Sequence, residues 1–590
     1  MAIKKDPVDA VVVGMGWAGG IMAKELAQAG LTVVGLERGP YRNTAPHFQP
    51  PEIHDELRYA RRHGLMQNLR RETNTFRNNP RQRALPMRQW AYGQGAYPLG
   101  EGLGGSGVHW NGQSWRFLPW DFETRSRTVE RYGEEAIPPD ATIQDWGITY
   151  DDLEPYYDKF EYAAGISGQA GNLQGQTQEG GNPFEGPRQR DYPLPPLKTA
   201  YSGLLFWEGA ERLGYHPFPS PAGNQSQAYT NPDGVAMGRC LYCGFCSKYG
   251  CEVAAKSSPL TTVLPVVLGL DNFQLRTHAN VIRVNLDDTR TRAVSVTYVD
   301  AQGREIEQPA DIIVLAAYAL NNVRLLLLSG IGQTYDPMSG EGLIGKNYSY
   351  QFISAVSAFF EDRVFNPFMS AGAMATVVDD FNGDNFDHTG LGFIGGGFIA
   401  QFTGEAAPIN THPVPLGTPP WGSEWKRAAA ENYRRAFTII THGAVLSYRN
   451  NYLDLDPTYR DAYGQPLLRM TFNWTDNELR MADFLTNKAA LIAREAGASD
   501  INIFRLARTF SIVPGQATHN NGGAIMGADP ATSVVNPYLQ MWDVPNLFVV
   551  GASAFPQNTG YNPTETVGAL AYWTADAIRN RYLKNPGPLA

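Results

Sequence analysis

The sequence predicts a mixed α/β fold in which a Rossmann-like dinucleotide-binding domain is interleaved with an antiparallel-sheet domain. Three observations carry this expectation. The chain opens with a β-branched run, a glycine-rich turn, a helical segment and a second apolar run ending in an acid, VDAVVVGMGWAGGIMAKELAQAGLTVVGLE. Strand-like runs return much later, over 273–315 and again at NLFVVGASAFP, as a sheet completed by distant chain requires. Between them, FISAVSAFF, FTIITHGAVL and LLRMTFNW read as half-buried antiparallel strands.

VDAVVVG reads as a buried strand, because β-branched side chains suit a pleated surface. Gly14, Gly16 and Gly19 then serve the tight turn, the close approach of backbone to a pyrophosphate and the packing of helix on strand. Gly30 closes the helix, and Glu37 stands 23 positions after Gly14, where an acid binds a ribose hydroxyl. Glu37 and Arg38 fit an adenosine without a 2′-phosphate, meaning FAD or NAD rather than NADP. GQGAYPLGEGLGGSGVHWNGQSWR (93–116) is too rich in glycine for regular structure and lets backbone amides approach a flat or anionic ligand. Residues 120–230 are polar and rich in Pro and Gly, with surface helices such as TYDDLEPYYDKFEYAAG. TDNELRMADFLTNKAALIAREAG and PTETVGALAYWTADAIRNRYL read as later helices, and no internal repeat is visible.

At ~150 residues per domain, 590 residues suggest about four domains. The strand pattern reduces these to two interleaved ones. Residues 1–130, 225–345 and 511–590 are expected to build the dinucleotide-binding domain, with a cysteine segment at 238–256, and 131–224 with 346–510 the substrate-binding domain. With 43% hydrophobic and 18% charged residues the chain is globular. Its net charge of −9 argues against nucleic acid as a partner. The start, with Asp6, Pro7 and Asp9, lacks a signal-peptide pattern, and the apolar runs are too short or too interrupted to span a bilayer. Any membrane association is therefore expected through a partner.

All four cysteines fall in one short stretch, Cys240, Cys243, Cys246 and Cys251. Disulfides among them would close only tiny loops, so the cluster reads as a metal site. Such compact spacing suits an iron–sulfur cluster, with zinc, a disulfide or adventitious thiols as alternatives; no CxxC is followed by His, which excludes c-type haem. His519, in ATHNNGGAIMG, is flanked by small residues that leave room above a planar ring, and a group titrating near neutrality suits proton abstraction from an alcohol.

The opening fingerprint, GLGGSGVHWNG, LAAYALNNVRLLLLSG, GLIGKN and NLFVVGASAFPQNTGYNPTETVGALA together resemble the glucose–methanol–choline (GMC) family of flavin oxidoreductases over nearly the whole chain. HWNGQSWRFLP and CLYCGFC are most similar to its bacterial sugar and sugar-acid dehydrogenase flavoproteins, which act on gluconate, fructose, sorbitol and 2-ketogluconate. The resemblance implies FAD, with cofactor contacts at Gly104, Gly105, Ser106, His109, Asn111, Gly112, Ala317, Gly551, Ala552, Asn562 and Thr564. Many relatives carry Gly where Tyr318 stands. It implies His519 as the base and Asn562 as the group that binds the substrate oxygen. His109 either tethers FAD covalently, as a similar His does in pyranose oxidases, or packs without a bond. The family pattern favours a [3Fe–4S] cluster on Cys240, Cys246 and Cys251 over a four-cysteine [4Fe–4S].

The implied activity is dehydrogenation of a secondary alcohol, gluconate to 2-ketogluconate in the first place. Hydride passes to FAD and electrons leave through the cluster to a multihaem cytochrome c, with a small subunit as further partner. Related sugar, polyol or glycoside dehydrogenases and a pyranose-oxidase-like oxidase are the alternatives. Co-export with the small subunit places such a complex at the periplasmic face of the bacterial inner membrane; a cytoplasmic location is the alternative. For an anionic substrate, Arg505 and Arg508, just before His519, are the candidate cations.

Overall fold

The computed structural model describes residues 2–48, 74–87, 99–409, 411–512 and 518–589. The first six residues of the glycine-rich loop at 93–116 lie outside them.

The opening residues form the expected unit. Val8–Val13 is a strand whose last four residues are buried, Trp17–Gln28 is the following helix and Val33–Leu36 the second strand. These strands pair in parallel, Ala10 with Val33 through Val13 with Leu36. Distant chain completes the sheet, as expected. Phe273–Arg276 joins the outer edge of Val33–Leu36 in parallel. On the other side lies Glu305–Leu315, whose two halves do different work. Glu305–Pro309 pairs antiparallel with Ala293–Val299, and Ala310–Leu315 runs parallel to Val8–Val13. Leu547–Val549 then adds in parallel beside Ile313–Leu315. A strand buried on both faces must be apolar throughout, which is why IIVL and LFV carry no alternation.

The second layer is a six-stranded antiparallel sheet. Its order is Asp500–Phe504, Phe352–Phe359, Ala436–Gly443, Gly397–Phe402, Ala375–Val378 and Pro217–Pro219. The helix Asp476–Glu495 packs on one face of this sheet. Residues of the other face line the central cavity together with residues of the nucleotide-binding sheet. Thr75–Arg77 and Leu85–Pro86, early in sequence, instead join Tyr452–Arg460 and Pro466–Thr471 in a smaller sheet. The helix Thr564–Ala577 packs against both Trp17–Gln28 and Tyr150–Ala164, so the chain's last long helix lies beside its first. Among the described residues no helix is long and apolar enough to cross a membrane.

A buried ion cluster fixes the chain after the glycine-rich loop. Arg116 donates through Nε and Nη2 to the two oxygens of Glu161, at 2.8 Å each, and through Nη1 to Glu154 at 2.9 Å. Arg188, fully buried, also donates to Glu161. Burial alone would raise the Glu161 carboxyl, yet the two guanidiniums hold it below the usual carboxylate range. Ser114 donates to Glu565 at 2.6 Å, tying this loop to the first turn of the closing helix.

Candidate active site

A cavity of about 1560 Å³ runs between the two layers, larger than a pocket for one small ligand. One end is built from the opening turn. Gly14 has φ +88°, and a Cβ there would lie 2.6 Å from the Ala316 carbonyl oxygen, so only glycine lets the turn meet the neighbouring strand. A Cβ on Gly19 would lie 1.8 Å from the Gly14 oxygen, which is how the helix approaches the strand so closely. Gly16 and Gly551 instead have open faces, with nothing nearer than 3.9 Å to a Cβ on the first and nothing within 4 Å on the second. The Glu37 carboxylate accepts the Met15 amide at 3.1 Å and the Gly39 amide at 2.9 Å. Burial pushes its pKa up, while the two amides and Arg38 oppose that shift.

Gly14, Gly16, Glu37, Arg38, Gly105, Ser106, His109, Asn111, Ala317, Gly551, Ala552, Asn562 and Thr564 all line this cavity, although they come from six separated stretches of chain. Gly19, Gly104 and Gly112 do not line it; a Cβ on each would meet the Gly14 carbonyl oxygen, the Val108 side chain and the Asn224 side chain, respectively. Asn322 joins two of the stretches: its Oδ1 accepts the Ala317 amide at 2.8 Å, and its Nδ2 donates to the Val550 carbonyl and the Ser553 hydroxyl.

At the other end of the cavity Asn562 Nδ2 lies 2.8 Å from His519 Nε2. Both residues line the cavity, and His519 Nδ1 and Asn562 Oδ1 have no protein partner. Burial lowers the His519 pKa to about 4, so the ring is neutral at neutral pH. His519 sits at φ +61°, held by the Asn558 amide on its carbonyl at 3.1 Å. Asn520 beside it is clamped by two phenols: Tyr348 donates to its Oδ1 at 2.6 Å, and its Nδ2 donates to Tyr318 at 2.9 Å. Behind Asn562, Tyr561 stacks on Trp115 at 4.8 Å and donates to the buried Asp379.

A dinucleotide cradle ending at a neutral His–Asn pair suits a flavin enzyme acting on alcohols, and comparison with known proteins agrees. Residues 205–353 and 447–571 match the GMC oxidoreductase family. The gluconate 2-dehydrogenase flavoprotein of Pantoea cypripedii is 50% identical over 588 residues, covering 99% of this chain and 95% of the relative. The chain belongs to the GMC oxidoreductase family. It is an FAD-dependent oxidoreductase acting on CH–OH donors. The 2-methyl-1,2-propanediol dehydrogenase of Mycolicibacterium austroafricanum is 28% identical, covering 99% of this chain and 97% of the relative. The fructose dehydrogenase large subunit of Gluconobacter japonicus is 26% identical, over 97% of this chain and 98% of the relative. Among solved structures, pyridoxine 4-oxidase from Mesorbium loti shares the fold with a TM-score of 0.55 at 19% identity, over 96% of this chain and 98% of the other.

Within this GMC chain, His109 faces the cavity with Nδ1 unpartnered, and burial, then Lys256 and Lys248, push its pKa down to about 3. The cysteine segment packs directly behind it. The Lys248 amide donates to the His109 carbonyl at 2.6 Å. Lys256, buried, donates at 2.7 Å to each of the carbonyls of Trp110, Cys246 and Tyr249, so one ammonium ties the FAD loop to the backbone of the cysteine segment. Among the described residues no group of three or more His, Cys, Asp or Glu side chains closes around a single metal ion. The four thiols nonetheless lie within electrostatic reach of one another in all six pairs. Each sulfur also receives an N–H: Cys240 from Tyr242, Cys243 from Phe245, Cys246 from Asn224 and Cys251 from Ala255. Burial pushes the Cys240 and Cys243 thiols up to about 12.

The expectation that Arg505 and Arg508 face the substrate is not met. Arg505 is exposed at the sheet edge and reaches back to Asp483 and Asn487, and neither arginine lines the cavity. Both follow the edge strand Asp500–Phe504, which turns them outward. Sequence reasoning missed Arg116, Glu161, Glu565, Lys256 and His442, whose partners lie tens to hundreds of residues away. Tyr318, where many relatives carry Gly, has φ +80° and meets Asn520; it is a strained residue supporting the His519 loop.

Proposed function

We propose that this GMC oxidoreductase is a sugar-acid dehydrogenase that converts gluconate to 2-ketogluconate and passes the electrons to a cytochrome c partner. The observation that carries the reaction is the His519–Asn562 pair at the end of the cofactor cavity. FAD, held by Glu37, the Gly14–Gly19 turn and the 104–112 loop, supplies a hydride acceptor when bound. His519, neutral, takes the hydroxyl proton at Nε2. The Asn562 amide donates to the substrate oxygen and orients it. Ile353, Thr438, Ile440 and His442 of the antiparallel sheet line the same cavity as the pair. Gluconate is favoured over fructose because the relative named for gluconate is 50% identical and the one named for fructose 26%.

For the electron exit, Cys240, Cys246 and Cys251 are the residues that would hold a [3Fe–4S] cluster, with the four-cysteine [4Fe–4S] as rival; either would supply a one-electron carrier. The N–H donors on the sulfurs and the Lys256 link to the His109–Trp110 backbone support this reading. A small subunit and a multihaem cytochrome c complete the proposed complex, at the periplasmic face of the inner membrane, with membrane contact through the partner.

Anaerobic mixing with gluconate, 2-ketogluconate, glucose, fructose and sorbitol, scored by bleaching of the flavin, tests the substrate. Gluconate is expected to bleach it fastest; faster bleaching by another sugar reassigns the enzyme. Reoxidation by cytochrome c or a dye rather than by oxygen is expected, and rapid reoxidation by oxygen overturns the dehydrogenase reading.

A further inference from the structure

A second histidine faces the catalytic pair, and neither the family motifs nor the sequence pattern around His519 pointed to it. In the strand Ala436–Gly443 side chains alternate between faces. Thr441 points to the helix side, where its hydroxyl meets those of Ser354 and, through Ser354, Thr486. Thr438, Ile440 and His442 therefore point the other way, and all three line the cavity. The register fixes His442 opposite Ile353 on one side and Phe398 on the other, and its ring packs on Phe398 at 4.9 Å between centroids.

His442 is 6% exposed, and its Nδ1 has no protein partner. That nitrogen is sealed from the cavity by the wall itself, so the ring nitrogen that a ligand in the cavity can reach is Nε2. Its ring lies 5.7 Å from that of His519, centroid to centroid. That separation is too long for one imidazole to bond the other and short enough for one small ligand to touch both. Burial first, and the nearby His519 second, push its pKa well below the ordinary imidazole value. A neutral imidazole carries one donor and one acceptor, which matches a hydroxyl; a carboxylate only accepts.

We infer that His442 is a specificity-determining residue that hydrogen-bonds the hydroxyl on the carbon next to the one being oxidised, so that the site selects vicinal diols over simple alcohols. The inference rests on the alcohol-oxidising reading above. His519 and Asn562 hold the reacting oxygen, and His442, beside them in the cavity, reads its neighbour. A substrate lacking that neighbour leaves the imidazole unpaired, and the lost bond appears as lost selectivity rather than lost chemistry.

The test compares rates of anaerobic flavin reduction, per substrate concentration, for gluconate and 3-deoxygluconate in wild-type protein, H442F and H442Q. Wild type is expected to prefer gluconate by about tenfold or more. H442F should bring the two rates together, and H442Q, which keeps a donor and an acceptor, should restore part of the preference. Equal preference in wild type and H442F, or an equal loss on both substrates, overturns the assignment. Should H442F fail to retain FAD, H442A takes its place in the same comparison. If gluconate bleaches no variant, wild type included, the gluconate reading fails by itself. The comparison is then made with the sugar that does bleach the flavin and its analogue lacking the neighbouring hydroxyl.

Discussion

Asn562 Nδ2 and His519 Nε2 are hydrogen-bonded at 2.8 Å, although 43 residues separate them in sequence. The amide donates, so Nε2 offers its lone pair and the ring proton sits on Nδ1. In the proposed reaction that lone pair, held here by the Asn562 amide, is the one that takes the hydroxyl proton of the substrate.

The pH dependence follows from the burial of His519. Its pKa is lowered to about 4, so the ring is neutral above that value and protonated below it. Flavin reduction by substrate should stay level as pH falls through about 6.5, the ordinary imidazole value, and be lost as pH falls through about 4. Stopped-flow reduction across this range checks it; an acid limb centred near the ordinary value contradicts the assignment.

Replacing His519 with Ala removes the base but not the cradle. Reduction should fall by about 10²–10⁴-fold with FAD content unchanged. Asn562→Ala should cost about 10–100-fold, the worth of one hydrogen bond to a developing charge. Near-normal reduction in H519A would place the base elsewhere.

The fingerprint glycines should differ in sensitivity. Gly19→Ala drives a Cβ to 1.8 Å from a backbone oxygen that cannot move without opening the sheet. A loss of about 3 kcal/mol or more, with loss of FAD, is expected. Gly30 also has positive φ, +93°, but a Cβ there meets nothing within 4 Å. Gly30→Ala should cost only the left-handed backbone term, about 1–2 kcal/mol. Thermal unfolding and the FAD-to-protein ratio separate the two.

Iron and acid-labile sulfide analysis with electron paramagnetic resonance tests the cysteine segment. A [3Fe–4S] centre gives roughly three irons per chain, lowered in C246S and unchanged in C243S. Loss of iron in C243S points to the four-cysteine cluster, and absence of iron from wild type removes the cluster.

Acid precipitation tests the tether at His109. Yellow colour carried down with the protein, and released in H109A, is the expected result for covalent FAD; colour left in the supernatant means His109 only packs.

Much of this was legible in the sequence because its causes are local. Strand, turn and helix in VDAVVVGMGWAGGIMAKELAQ follow from β-branched side chains, glycine conformation and apolar periodicity, all between near neighbours. The cysteine spacing and the small residues around His519 are local signals of the same kind. What remained illegible depends on which strand lies beside which. Arg505 and Arg508 stand close to His519 in sequence yet point outward from a sheet edge. His442 stands 77 residues before His519 and shares the cavity with it.

The family, the dinucleotide cradle and the His–Asn pair can be read from short motifs along the chain. The tertiary fold alone brings Lys256 between the cysteine segment and the FAD loop, locks that loop through Arg116 and Glu161, and sets His442 beside His519 in the cavity. The physical reason is that strand register and helix docking are set by the sum of many weak packing contacts, and no short stretch of residues carries that sum.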